Sequence, residues 1–235
     1  MKKSIASVAA ALGLFAMAGA AYAAPVKFVF QNPGADTPTA ATAFTTGSTC
    51  SGIAVTSGDY CATTADGLVY FKDGLTVAAT AKNTGGDATL LQDVKPDNSG
   101  LAVLSPNESN QDDQVQANRG ESIVFTFETM VSLLKIDFNA GNDKNCSSSN
   151  DAEGPCDDFE LFVDNVSKGT FGAIDDFAFA TGFSGSVFEI VARSETHPSG
   201  FAIGLIEVSR VPEPGTLALL GLGLIGIAAR RRMKI

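Results

Sequence analysis

The sequence predicts an all-β protein whose main domain is a β-sandwich or jelly roll. Three observations favour this class: short apolar runs alternate with polar residues, glycine-rich turns separate them, and 16 phenylalanines occur without a tryptophan. Helical periodicity is almost absent between residues 25 and 210. A β-helix is the alternative all-β architecture, and no fixed repeat period supports it.

The first predicted strands lie in the N-terminal half of the chain. Val26 to Phe30 alternates between apolar and polar positions. Residues 68–71 and 75–81 are then predicted to form a hairpin, because Asp73 and Gly74 between them accept the positive φ angles that a tight turn needs.

The middle of the chain contains the clearest alternation. Ser122 to Glu128 places three apolar side chains on one face, and residues 134–138 do the same. In the second run, Lys135 and Asp137 are predicted to point to solvent, as in a half-buried antiparallel strand.

The C-terminal half adds further predicted strands. Asp158 to Asp164 is predicted to run into a turn from Asn165 to Gly169, and Phe177 to Phe183 is a weaker strand. Val187 to Arg193 and Phe201 to Val208 are predicted to pair as a closing hairpin.

The N-terminus has the features of a secretory signal peptide. Lys2 and Lys3 precede an apolar run from about Ile5 to Ala20. Ala21 and Ala23 then form an A-x-A pattern, which predicts residues 1–23 as a signal peptide and cleavage after Ala23. A retained N-terminal anchor is the alternative.

The exported part, residues 24–210, is predicted to be one acidic domain. Residues 25–211 contain 10 lysines and arginines against 25 aspartates and glutamates, a net charge of −15. This sign disfavours nucleic acid and anionic membranes, and suits either cations or simply a well-solvated surface.

The four cysteines are predicted to form two disulfides, because export leads to an oxidising compartment. Three connectivities exist. We favour Cys50–Cys61 and Cys146–Cys156, since each bond would close a short loop rich in glycine, serine or aspartate. Zinc is disfavoured because no CxxC spacing is present and the chain has 1 histidine.

The C-terminal segment, residues 211–235, has three parts in a fixed order. Pro212, Glu213 and Pro214 come first, and the two prolines end the last strand. Residues 216–229 form an apolar helix that is short for a membrane span. The basic end, residues 230–234, favours the cytoplasmic side, so the segment is predicted as a short transmembrane helix with the domain outside. An ordinary stop-transfer anchor is the alternative.

This order of parts at the extreme C-terminus resembles the PEP-CTERM sorting signal of Gram-negative bacteria. The resemblance implies recognition through Pro212, Glu213 and Pro214, and processing by the membrane enzyme exosortase. It also implies that Arg230, Arg231 and Arg232 act as the membrane stop and retention signal. The family is associated with exopolysaccharide and biofilm matrix, so we expect an intermediate anchored in the inner membrane, followed by the cell surface or extracellular matrix.

The sequence disfavours an enzyme. It lacks a G-x-S-x-G elbow, and its histidine, His197, lies in a polar turn that is typical of solvent-exposed residues. Paired cysteines leave no thiol nucleophile. A hydrolase with an unmarked carboxylate pair is therefore only the third functional alternative.

Acidic clusters offer a candidate calcium site, because calcium binds six to eight oxygen ligands. Clusters occur around Glu108 to Asp113, between Asn142 and Asp158, and at Asp175–Asp176, none with EF-hand spacing. Asp112 and Asp113 are the first candidates, since they lie between two predicted strands. A calcium-dependent glycan-binding module is the second functional alternative, although Tyr60 and Tyr70 are the only aromatics besides phenylalanine in the exported part. The leading hypothesis is a structural or adhesive protein of the surface or matrix.

Overall fold

A computed structural model describes most of the central part of the chain. The described residues are 24–31, 34–39, 49–50, 53–54, 59–62, 67–94, 100–104, 114–140, 144–146, 156, 158–193 and 200–211. Residues 24–209 form one compact unit, and of the second unit, residues 1–23 with 210–235, only residues 210 and 211 are described. The predicted signal peptide and the segment after Val211 therefore lie outside the described residues.

The described part consists of β-strands, so the all-β prediction is confirmed. Its one helical element is a 3₁₀ turn at Ala117–Arg119. The strands are β1 Val26–Val29, β2 Thr49–Cys50, β3 Ile53–Ala54, β4 Tyr60–Ala62, β5 Leu68–Lys72, β6 Leu75–Asn83, β7 Gly86–Asp93, β8 Gly100–Leu104, β9 Ser122–Ala140, β10 Lys144–Asn145, β11 Asp158–Val163, β12 Val166–Gly172, β13 Phe177–Ala192 and β14 Phe201–Arg210.

The strands form one large sheet that closes on itself, and this corrects the predicted sandwich or jelly roll. A 12-stranded sheet has nine strands in the order β1-β14-β8-β7-β6-β9-β13-β11-β12. Its other three strands pair at the side of this path, β10 with β9, β4 with β7 and β5 with β6, and a small separate sheet joins β2 to β3. An additional pairing between β14 and β9 completes a closed barrel through β6, β7 and β8. Closure pairs strand edges that would otherwise be open to other chains.

The β5–β6 hairpin forms as predicted. Asp73 and Gly74 have φ angles of 48° and 73°, which are the left-handed values that a two-residue turn of this kind requires. Along β6, buried and partly exposed residues alternate, as expected for a strand with one face on the core.

Two strands are longer than predicted because bulges bend them without ending them. The predicted breaks after Glu128 and after Phe183 are wrong, since β9 and β13 each continue through these points. Their pairing shifts register between Gly185 and Val187 and again between Ala178 and Phe183. An extra residue in one strand bends that strand and increases its twist.

The C-terminal connections also differ from the prediction. The chain turns at Asp164–Asn165, with φ angles of 49° and 64°, and β12 occupies the region predicted as a turn. The predicted closing hairpin is wrong, because β13 pairs with β9 and β11 whereas β14 pairs with β1, β8 and β9. These partners are distant in sequence, so local turn signals did not indicate them.

Phenylalanine rings fill the interior of the barrel. Phe138 lies 4.7 Å from Phe159 and 5.0 Å from Phe201 between ring centroids, and all three side chains are fully buried. Phe30 packs in the same way against Tyr70 and Phe125. Such ring pairs add to the burial of apolar area and hold β5, β9, β11, β14 and the residue after β1 together.

Candidate functional site

The chain leaves the barrel directly from a buried strand. Ile203, Ile206 and Val208 of β14 have no exposed surface, and β14 is paired with three other strands. Val211 is the last described residue, one position before Pro212. The predicted sorting residues, Pro212 to Pro214 and Arg230 to Arg232, lie outside the described part. Within that part, no helix has the length and apolar character needed to span a membrane.

The chain enters the barrel beside the place where it leaves. β1 pairs antiparallel with β14, so that Val26 is opposite Val208 and Lys27 is opposite Glu207. The Lys27 ammonium and the Glu207 carboxylate are 3.4 Å apart across this pair. The residue that follows the predicted signal peptidase site therefore lies at the same end of the barrel as the start of the C-terminal segment.

A cluster of three carboxylates forms where the turn before β13 meets β9. Asp137, Asp175 and Asp176 each place a carboxylate oxygen within 4.8 Å of the other two. Asp137 is 8% exposed, which corrects the prediction that it points to solvent. Asp175 and Asp176 form the turn and remain exposed. We refer to these three residues as the acidic cluster.

Hydrogen bonds fix the position of Asp137 within the acidic cluster. The backbone N–H of Asp176 donates to Asp137 Oδ1 at 3.2 Å, and Gln31 Nε2 donates to Asp137 Oδ2 at 3.2 Å. Asn139 Nδ2 in turn donates to Gln31 Oε1, and the Lys135 ammonium contacts the Asp176 carboxylate. Gln31, two residues after the end of β1, thus links this part of the chain to β9 through side-chain hydrogen bonds.

Burial raises the pKa of Asp137 to about 7 from its usual value near 3.8. The hydrogen bond with the Asp175 side chain and the negative charges of Asp175 and Asp176 raise it further, whereas the Asp176 N–H opposes the shift. A carboxyl group with these neighbours holds a proton near neutral pH. A hard cation such as calcium would neutralise the same oxygens when the proton is absent.

One predicted disulfide supports the turn that carries the acidic cluster. The structure contains both predicted bonds, Cys50–Cys61 and Cys146–Cys156. The Cys146 carbonyl accepts a hydrogen bond from the Asp175 N–H at 2.8 Å. Cys146 and Cys156 are buried in the main core, so their disulfide connects the turn to the core through the Cys146 carbonyl.

The acidic cluster does not include the residues that were the first predicted metal ligands. Asp112 and Asp113, the first candidates, lie outside the described residues. Asp175 and Asp176 belonged to a third predicted acidic run, and the structure brings them to Asp137. Sequence reasoning missed Asp137 because strict alternation assigned it to solvent. A signal was present in the charged residue itself, which stands among apolar neighbours in a strand.

Comparison with known families assigns the C-terminal segment. The PEP-CTERM protein-sorting motif matches residues 210–232, starting at the last residue of β14. The described strands and this segment define an all-β protein with a C-terminal sorting signal. The chain is a PEP-CTERM domain-containing protein, as the sequence resemblance predicted. Searches among curated proteins and among solved structures found no match.

The sorting motif indicates how the protein is exported and sorted. A PEP-CTERM motif implies export, membrane-anchored sorting toward the cell surface and processing by exosortase. The motif begins at Arg210, the last residue of β14.

Proposed function

We propose that this protein is a structural or adhesive component of the cell surface or extracellular matrix, with exopolysaccharide as its partner. The single observation that carries the proposal is the sorting motif at residues 210–232. Two disulfides suit a domain that works in an oxidising compartment, and the charge of −15 between residues 25 and 211 keeps it solvated there.

The barrel supports processing within the motif. Ile206 and Val208 are fully buried and paired with β1, so cleavage before Val208 would remove at least one core side chain. Cleavage after Val211 would leave β14 complete. We infer that the mature product keeps the whole barrel and loses the segment that attached it to the membrane.

A chain that stops after Val211 tests the sorting role. We expect this variant to be exported and to fold, because every residue of β14 is retained. It is expected to accumulate in the soluble fraction, whereas the full-length chain reaches the surface or matrix fraction. Fractionation followed by immunoblotting measures the distribution, and the melting temperature of both forms confirms that the barrel is intact. Equal distribution of the two chains would contradict the proposal.

The second candidate is a calcium-dependent glycan-binding module. The observation that favours it is the acidic cluster, whose three carboxylates lie within 4.8 Å of one another. Calorimetry with calcium and a glycan array separate the two candidates. Glycan binding that requires calcium would favour the second, and glycan binding without calcium would favour the first. A hydrolase that uses a carboxylate pair is the third candidate, and loss of a measured activity on replacing one carboxylate would support it.

A further inference from the structure

Three large apolar side chains are well exposed among the described residues. Phe71 is 63% exposed, Met130 56% and Val166 57%. Single exposed apolar residues are ordinary on a protein surface. These three lie on different strands, so their positions relative to the chain ends decide whether they form a common surface.

We describe the positions of the three side chains relative to the end of the barrel where β1 begins and β14 ends. β1 begins at Val26, opposite Val208 near the end of β14. We call this end the terminal pole. The sorting motif follows β14 there, with Val211 between the strand and Pro212.

Met130 lies toward the terminal pole. Phe28 packs against Phe127 with ring centroids 6.1 Å apart, and Phe30, further from the pole, packs against Phe125 at 5.7 Å. β9 therefore approaches the terminal pole as its residue number rises from 125 to 127. Met130 comes three residues later, where the strand bends.

Phe71 lies at the same pole. Val77 of β6 is paired with Phe127, and β6 begins two residues before Val77 at the β5–β6 turn. That turn is therefore on the side of Phe127 that faces the terminal pole. Phe71 is paired with Thr76 beside the turn.

Val166 also lies toward the terminal pole. The backbone N–H of Asp164 donates to the Val187 carbonyl at 2.8 Å, and Val187 is paired with Thr126, next to Phe127. Val166 follows Asp164 across the β11–β12 turn and pairs with Val163. The described residues at the other end of the barrel, at the β6–β7 turn, are polar or glycine, including exposed Thr84 and Asp87.

We propose that the terminal pole rests on the lipid surface of the membrane, with Phe71, Met130 and Val166 in the headgroup region, while the unprocessed chain is anchored. This inference rests on the proposed function, because the anchor is the segment that the sorting motif provides. The occupant is lipid, since the chain continues from this pole into the segment predicted to enter the membrane. Tethering gives a high effective concentration, so a weak apolar contact is sufficient.

Contact at this pole has a consequence for processing. It would orient the barrel so that residues 212–214 remain at the membrane surface, where a membrane enzyme can reach them. Two ion pairs lie near this pole: Lys27 with Glu207, and Lys72 with Asp36, with 2.8 Å between Lys72 Nζ and Asp36 Oδ1.

Single tryptophans test the proposal without background, because the chain contains no tryptophan. Phe71→Trp and Met130→Trp report from the terminal pole, and Thr84→Trp is the matched control at the other end. Each chain from Ala24 to Ile235, without the predicted signal peptide, is placed in phosphatidylcholine nanodiscs with and without brominated lipid, which quenches nearby tryptophan. We expect fractional quenching of the two terminal-pole tryptophans to exceed that of the control by at least about twofold.

The outcomes separate this inference from the proposed function. Co-elution with nanodiscs reports anchoring by the C-terminal segment, independently of quenching. Chains that co-elute with equal quenching at all three positions would overturn the inference alone. Chains that do not co-elute would overturn membrane anchoring as well. A blue shift that grows with the number of chains per nanodisc, without extra quenching, would assign the surface to a second copy and also overturn the inference.

Discussion

Replacing Phe138 by alanine is expected to lower the free energy of unfolding by about 3–5 kcal/mol. The ring is fully buried and contacts Phe159 of β11 and Phe201 of β14. These two strands are not neighbours in the sheet, so Phe138 joins parts of the barrel that hydrogen bonds do not join directly. Removing the ring loses the transfer free energy of its apolar area and leaves a cavity between strands that cannot move together freely.

Urea denaturation measures this loss beside a matched control. Phe71→Ala removes the same ring from a position that is 63% exposed, and we expect it to change stability by less than about 0.5 kcal/mol in detergent or free solution. Equal destabilisation by the two substitutions would contradict the barrel interior described here. A large loss at Phe138 alone would support it.

Asp137→Asn is expected to stabilise the protein at pH 8 by roughly 2–4 kcal/mol and to change little at about pH 4. The pKa of Asp137 is raised to about 7 in the folded protein, so between about pH 4 and pH 7 the folded state binds more protons than the unfolded state. The stability contributed by the protonated carboxyl is complete below about pH 4 and is lost as the pH rises through about 7. Asparagine stays neutral, and the amide retains a donor toward Asp175.

Thermal unfolding at about pH 4 and at pH 8 measures the difference, with Asp87→Asn as the control. Asp87 is exposed on β7, so its replacement removes one negative charge without changing a buried group. An unchanged slope of stability against pH in Asp137→Asn would show that Asp137 is not the titrating group. Calcium is expected to raise the melting temperature of the wild type at pH 8 and to have less effect on the variant, and no effect on either would remove the cluster as a calcium site.

Local signals predicted those parts of the fold that depend on neighbouring residues. Asp73–Gly74 indicated the β5–β6 turn, and the positive φ angles there follow from the two residue types. The close spacing of Cys146 and Cys156 indicated their bond, because a short loop is easily closed. The order of parts in residues 211–235 identified the sorting motif, since it is a linear signal.

Long-range contacts account for what the sequence did not indicate. Closure of the barrel depends on β9 meeting β14, and nothing in either strand alone specifies that partner. Asp137 is buried because Gln31, 106 residues earlier in the chain, reaches it from beside β1. The bends in β9 and β13 come from register shifts between two paired strands, which alternation within one strand does not reveal.

The pairing of the first strand with the last is another long-range contact that the sequence did not indicate. Val26 and Val208 are far apart in sequence and directly opposite in the sheet. This pairing places the start of β1 and the end of β14 at one pole of the barrel.

The central claim is that the C-terminal segment is read through its Pro-Glu-Pro element and then removed. The most direct test is the intact mass of the protein from cells that naturally produce it, with wild type measured beside Glu213→Ala. We expect the wild-type mass to lack the residues beyond about Pro214 and the variant to retain them. An uncut segment in both proteins would contradict processing and would leave residues 211–235 as an ordinary membrane anchor.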